Sequence, residues 1–284
     1  MDERTLKLKL TIAYDGTRFA GWQTQATGQA VQPLIEAAWS ALIPGKHNLL
    51  GASRTDAGVH AMGMVAHIEL PADRFTLPLR KVPLALNARL PAEIRVVSAS
   101  RVPSTFHARY DARGKEYRYT VWNHTAMNPL LLGRAWHVPK PIVLAPVLEA
   151  ALLLAGTHDF RSFAANHSYH IENTVRTLRR VQVKRVGSLW TFVIEGDAFL
   201  YKMCRGIVGT LVQVGHGRFG AEEIRTMLKA KNRTTAGMSA PACGLVLWKV
   251  LYPRRGEVKP DFSHRRNPRP RPEPQDDLKG EGLE

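Results

Sequence analysis

The chain opens on strict alternation. Leu6-Lys7-Leu8-Lys9-Leu10-Thr11-Ile12 sends every second side chain to the same side, the period of a half-buried strand. Tyr14-Asp15-Gly16 follows as a turn signal. Val31, Leu34, Ile35, Ala38, Trp39 and Leu42 then recur at helical spacing, and Pro33 falls where a first turn tolerates it. Strand-like runs at 48–53 and 64–70, a helix across 77–88 that contains Pro83, and a strand at 95–100 complete the first part.

The second part has the same rhythm. Residues 116–123 are strand-like. Leu144, Val147, Leu148, Ala151, Leu152 and Ala155 form a helical stripe, with Gly156 where a C-cap glycine belongs. Residues 178–186 and 189–195 predict two strands joined by a hairpin at Gly187-Ser188. Leu200, Met203, Ile207, Val208 and Leu211 predict a further helix, followed by a short one at 221–229 and a strand at 245–252. Each part thus mixes two helices with several strands, in an order close to a split β-α-β unit. No sequence repeat accompanies that likeness. The reading is of α+β class, with an N-terminal α/β domain over 1–102, a boundary near Val102-Pro103, and a C-terminal α/β domain over 103–253.

Beyond Pro253 the pattern stops. Pro268, Pro270, Pro272 and Pro274 alternate with Arg and other polar residues, and apolar residues nearly vanish. Such a stretch lacks the apolar surface to offset its chain entropy, so 254–284 is expected to be a disordered Pro/Arg-rich tail.

Composition narrows the function. The chain carries 40 Lys and Arg against 24 Asp and Glu, a net charge of +16. Outside the tail the balance is 32 basic to 17 acidic residues, so the excess lies in the body. A basic body suits a polyanionic partner. No run reaches the roughly 18 apolar residues of a membrane helix, and the N-terminus lacks the apolar core of a secretory signal, so the expectation is a cytoplasmic protein without membrane attachment. Two cysteines, Cys204 and Cys243, make neither a disulfide framework nor a metal set, and read as small buried hydrophobes. His167 and His170 are close in sequence but lack a second ligand pair.

Three segments carry chemistry. In Gly51-Ala52-Ser53-Arg54-Thr55-Asp56-Ala57-Gly58-Val59-His60, an Arg two residues before an Asp puts both on one face of an extended chain. A carboxylate held near a guanidinium stays ionised and aimed, a candidate nucleophile or base; the plain alternative is an Asp that opens a turn. Residues 106–119 interleave aromatic and basic side chains, as RNA binding requires for stacking and phosphate contact. Within them Tyr117 and Tyr119 share a strand face and Arg118 takes the other; Tyr119 also suits an ordinary core. In Phe199-Leu200-Tyr201-Lys202-Met203-Cys204-Arg205-Gly206-Ile207-Val208-Gly209, Arg205 and Lys202 lie off the apolar stripe. Gly206 and Gly209 cost helix propensity, which suggests a close neighbour.

Together these segments resemble the tRNA pseudouridine synthase A family. Further stretches agree: Tyr14-Asp15-Gly16-Thr17 with Gly21-Trp22-Gln23, Asn87 with Leu90-Pro91, Asp159-Phe160 with Ser162-Phe163, and Arg233-Thr234 through Ala240-Pro241 and Gly244-Leu245. The resemblance runs from about Leu6 to Pro253. It implies two fused ferredoxin-like domains with a largely antiparallel sheet, helices on one side and a basic active-site cleft between them. It implies a homodimer acting on the anticodon arm of tRNA, at uridines 38, 39 and/or 40. Asp56 matches the family's catalytic aspartate, Tyr117 the tyrosine that stacks on the target base, and Arg54 and Arg205 the basic residues near that aspartate. Ser53 and Gly206 depart from the family pattern, which commonly has glycine and asparagine there, and Cys204 replaces a branched apolar residue.

Exchanging a C1′–N1 bond for a C1′–C5 bond gains and loses no atom, so no cofactor and no metal is expected. Whether Asp56 attacks C1′ or takes a proton from C2′ is open at this level. A non-catalytic tRNA-binding protein, or a hydrolase using Asp56 as nucleophile, are the rival readings; product mass separates them, since isomerisation leaves it unchanged.

Overall fold

The computed structural model describes residues 5–23, 28–165 and 173–253; His167, His170 and the 254–284 segment lie outside them. Ten strands form one sheet among the described residues. The first part supplies β1 (Thr5–Tyr14), α1 (Val31–Ser40), β2 (Leu49–Gly51), β3 (His60–Pro71), α2 (Val82–Asn87) and β4 (Ile94–Arg101). The second supplies β5 (Gly114–Trp122), β6 (Trp136–His137), α3 (Leu144–Leu153), β7 (Gly156–Asp159), β8 (Val175–Val186), β9 (Leu189–Gly196), α4 (Met203–Gly215), α5 (Ala221–Ala230) and β10 (Leu245–Leu251).

The strand order is β4-β1-β3-β10-β5-β9-β8-β7, with β2 on β3 and β6 on β5. In the first part, β4-β1-β3-β2 is the 4-1-3-2 order of a ferredoxin-like unit, and α1 and α2 are its crossovers. In the second, β10-β5-β9-β8 repeats that order, with α3 and α4 in the crossovers. All the pairings are antiparallel except β5 with β6 and β3 with β10. The β3–β10 pairing fuses the halves: Val246 opposes His60 and Leu247 opposes Ala61. The outer edge of β3 is shared, since β2 occupies its other end at Ala66, His67 and Ile68.

The strand alternation explains where the core lies. Leu8, Leu10 and Ile12 of β1, Met64, Ala66 and Ile68 of β3, Tyr117, Tyr119 and Val121 of β5, and Trp190, Phe192 and Ile194 of β9 join one cluster with Trp39, Leu86, Val147 and Ile207 from the helices. The helices therefore share one face of the sheet. On the other face the 103–113 connection packs Ala108 and Phe106 against Val65, Val250 and Tyr252. The Tyr252 hydroxyl donates to the Ala108 carbonyl at 2.6 Å, and the Lys7 ammonium donates to the carbonyls of Ser104 and Phe106. Glu116, almost fully buried on that same face, accepts from Arg118 and Arg180 and faces Lys249, tying β5 to β8 and β10.

Three expected elements are shorter than read. The helix across 77–88 is a 3-10 turn at Leu79–Lys81 followed by α2, because Pro83 is accepted only in a helical first turn and so sets where the α-helix starts. The helix read from Leu200 begins at Met203, since Leu200, Tyr201 and Lys202 precede it as a turn. The strand read over 48–53 is the three-residue β2, because the chain leaves the sheet to form the Asp56 loop. Cys204 is buried as expected; Cys243 is half-buried.

The neighbours of Gly206 and Gly209 are backbone. A Cβ on Gly206 would stand 2.1 Å from the Phe163 carbonyl oxygen, and one on Gly209 would stand 1.9 Å from that of Met238. Both contacts press α4 against the segments that flank the site. Gly209→Ala improves helix propensity by about 1 kcal/mol, yet is expected to lower the stability of the protein by about 1–3 kcal/mol through overpacking. The urea midpoint of the variant against wild type measures which of the two wins.

Candidate active site

Asp56 sits in the loop between β2 and β3. That loop is clamped from the first half's own N-terminal segment. The Trp22 amide donates to the Thr55 carbonyl at 3.1 Å and the Gly58 amide to the Phe19 carbonyl at 3.2 Å. The hydroxyls of Tyr14 and Thr55 share a hydrogen bond of 2.8 Å. Gly21, with φ of 104°, lets the backbones touch: a Cβ there would lie 2.5 Å from the Thr55 carbonyl oxygen. The Tyr14-to-Gln23 stretch, read as a turn signal at its start and otherwise as part of a resemblance, is thus the brace of the Asp56 loop.

The second half closes on the loop. Arg205, in the first turn of α4, places a guanidinium nitrogen 3.4 Å from Asp56 Oδ2. Its Nε donates to the Ala240 carbonyl at 2.7 Å, and the Ala240 amide returns a bond to the Arg205 carbonyl at 3.0 Å. The guanidinium is therefore held from behind while it faces the carboxylate. Both side chains are largely shielded, which keeps salt from screening the pair as it would on an open surface.

A cavity of about 760 Å³ opens beside this pair. Arg54, Asp56 and Tyr117 line it together with Arg109, Tyr110, Lys115, Phe199, Tyr201 and Lys202. Four cationic side chains (Arg54, Arg109, Lys115 and Lys202) face it, against one carboxylate, that of Asp56. Tyr117 comes from the helix-side face of β5. Its hydroxyl shares a 3.1 Å hydrogen bond with Ser53, and its ring meets Phe199 edge-on at 4.9 Å. Burial raises its phenol above the ordinary value of 10.0, so it stays protonated and is a poor base at neutral pH.

The four residues singled out in the sequence do meet, in two ways. Asp56, Arg54 and Tyr117 line the cavity; Arg205 stands behind Asp56. The guanidinium on the carboxylate is that of Arg205, while Arg54 is exposed at the cavity. Tyr119, one of two alternatives on the same strand face, is core: it is fully buried, and its hydroxyl donates to the Pro241 carbonyl at 2.7 Å. Arg118 points to the opposite face and lies over the Trp248 ring at 3.8 Å. Ser53 was noted as a departure from the family pattern, and Phe199 and Lys115 only as members of their segments, none with a role. Lys115 had a signal, since it is two residues from Tyr117 and so on the same strand face.

Comparison with known proteins gives the chain a family. The family described as tRNA pseudouridine synthase matches residues 10–111 and 150–253. Among similar proteins, the tRNA pseudouridine synthase A of Anoxybacillus flavithermus is 44% identical over 247 residues, covering 87% of this chain and 98% of its own length. That of Bacillus pumilus is 41% identical over 253 residues, covering 87% and 99%. That of Acetivibrio thermocellus is 42% identical over 249 residues, covering 86% and 99%.

Lys115 yields a pH test of the site's electrostatics. Burial, and after it the charges of Arg109 and Arg176, push its ammonium down from 10.5 to about 8. The unfolded chain therefore binds the proton more tightly than the folded one between those values, and stability gains with rising pH there. Below about 8 the cost of the buried charge is fully present. Lys115→Met is expected to melt at a higher temperature than wild type at pH 7, with the advantage shrinking from about pH 8 toward 10.5; thermal melts across that range measure it.

Proposed function

The chain belongs to the tRNA pseudouridine synthase family, and from that premise we propose that Asp56 is its catalytic carboxylate, Tyr117 the platform for the target base, and Arg54 and Arg205 the cations that serve them. The protein is an isomerase that converts uridine in tRNA to pseudouridine. The observation that carries the assignment of the residues is the Asp56–Arg205 pair. A carboxylate from one ferredoxin-like half and a guanidinium from the other meet at 3.4 Å, beside a cavity that Tyr117 also lines.

The reaction breaks C1′–N1, forms C1′–C5, removes a proton from C5 and returns one to N1. The target uridine must leave the base stack, at a cost of a few kcal/mol. Stacking on an aromatic ring offsets about 1–3 kcal/mol of that, and Tyr117 has the position for it. Asp56 then acts at the sugar, either on C1′ or on the C2′ proton. Arg205 keeps its carboxylate ionised and aimed. The raised pKa of Tyr117 favours stacking over proton removal as its role. Arg54, exposed at the cavity, has the placement for a phosphate. The atom balance calls for no cofactor.

The finer assignments extend this reading. We place the substrate uridines at positions 38, 39 and 40 of the anticodon arm, as the family resemblance implies, and take the working protein to be a cytoplasmic homodimer. With the division at Val102-Pro103, the cleft is an inter-domain one, with Arg54 and Asp56 from one domain and Tyr117 and Arg205 from the other.

Asp56→Asn is expected to fold, to bind tRNA and to release no tritium from tRNA labelled at uridine C5, with no cofactor added to either protein. Near-normal turnover by that variant would remove Asp56 from the mechanism. The aligned 247 residues already account for 98% of the Anoxybacillus relative. Deleting 254–284 is therefore expected to leave pseudouridine formation largely intact; abolished product in the truncated protein would overturn the domain scheme.

A further inference from the structure

Backbone strain, cavity and charge coincide at Lys202. Its φ of 56° and ψ of 11° lie in the left-handed region that favours glycine. Among the described residues the other non-glycine position with positive φ is Lys231, at the C-terminal cap of α5, where a left-handed residue is an ordinary way to end a helix. Lys202 stands before α4 instead, where the capping residue is ordinarily extended and its side chain bonds the first amides. Lys202 makes no such cap. The strain therefore does not serve the helix.

The side chain shows what else it serves. The Lys202 ammonium lies 4.8 Å from the centroid of the Tyr201 ring, and both residues line the cavity. No ion pair among the described residues includes Lys202; Asp56, the one carboxylate lining the cavity, is engaged by Arg205, three residues further along. A glycine at 202 would relieve the backbone, and an asparagine would tolerate it. Lysine adds a compact, flexible positive charge to the wall of the cavity.

We propose that Lys202 is a tRNA-binding residue whose ammonium meets a backbone phosphate flanking the uridine that enters the cavity. The proposal rests on the reading of the cavity as the tRNA site and adds to it a residue and a contact. When a base turns into the cavity its ribose comes to Asp56, and the flanking phosphates come within reach of half-buried Lys202 on the cavity wall. The ring of Tyr201 beneath the ammonium restricts its rotamers before the RNA arrives.

The test uses the full-length chain with Lys202→Gly, Lys202→Asn and Lys202→Arg. Lys202→Gly is expected to melt at the same temperature as wild type or higher, and still to bind tRNA several-fold more weakly. Lys202→Asn should weaken binding equally, and Lys202→Arg should restore most of it. The slope of log binding constant against log salt concentration should become shallower by about one in the Gly and Asn variants. Loss in kcat/KM should be carried by KM. Unchanged affinity and salt slope in both uncharged variants would overturn the proposal. So would a Gly variant that melts lower and loses affinity in proportion, since that is the signature of a structural role. Pseudouridine formation by wild type in the same assay tests the functional reading separately: if wild type makes none, that reading fails, and the binding measurements still decide the role of Lys202.

Discussion

The parallel pairing of β10 with β3 is the constraint on which the arrangement depends. Two register positions, Val246 with His60 and Leu247 with Ala61, join a ferredoxin-like half built from residues 5–101 to one built from 114–251. His60 is the first residue of β3 and follows directly on the Asp56 loop. Its ring fixes both sides of the seam. Nδ1 accepts from the Gly16 amide at 3.0 Å, and Nε2 lies 3.0 Å from the Cys243 carbonyl, just before β10. The sheet thus delivers the Asp56 loop to the place where the turn before α4 arrives, and the carboxylate and guanidinium meet because the strands beneath them are paired.

Around that seam the charges are arranged unequally. On the sheet face away from the helices, buried Glu116 is paired with Arg118, Arg180 and Lys249. On the cavity side, cations outnumber carboxylates, and the one cavity-lining carboxylate already has a guanidinium behind it. The first arrangement is self-contained and holds strands together. The second gathers positive charge around the cavity, at a cost that the depressed ammonium of buried Lys115 registers. A polyanion offsets that cost, so the repulsion among these cations and their attraction for RNA share a cause.

Much of the fold was legible because its signals are local. Alternation in Leu6 to Ile12 and helical spacing from Val31 to Leu42 each report on neighbours a few residues apart. The short strands β6 and β7 were missed because two and four residues carry too little periodicity. The order of strands was not legible either: nothing near Leu245 announces that it will lie between β3 and β5. At the site, Asp56 and Tyr117 were identified through resemblance, and the sequence pattern supported their faces. The partner of Asp56 was expected at Arg54 by proximity and at Arg205 by resemblance, and the fold supplies Arg205 across 149 residues. The left-handed conformation of Lys202 leaves no trace in residue type, since lysine is not a residue that adopts it readily.

The position of β10 also bears on how the molecule is made. It is the last strand of the described body, yet it lies in the middle of the sheet. During synthesis from the N-terminus, the first half can complete its own strand order while the ribosome is still reading the second. The edges of β3 and β5 that β10 will cover must stay open until residues 245–251 emerge, and open strand edges invite pairing with other chains. The Asp56–Arg205 pair is assembled by the same late insertion. A nascent chain therefore passes through its most association-prone stage before the two halves are joined, and the step that buries the exposed edges is the step that brings Asp56 and Arg205 together.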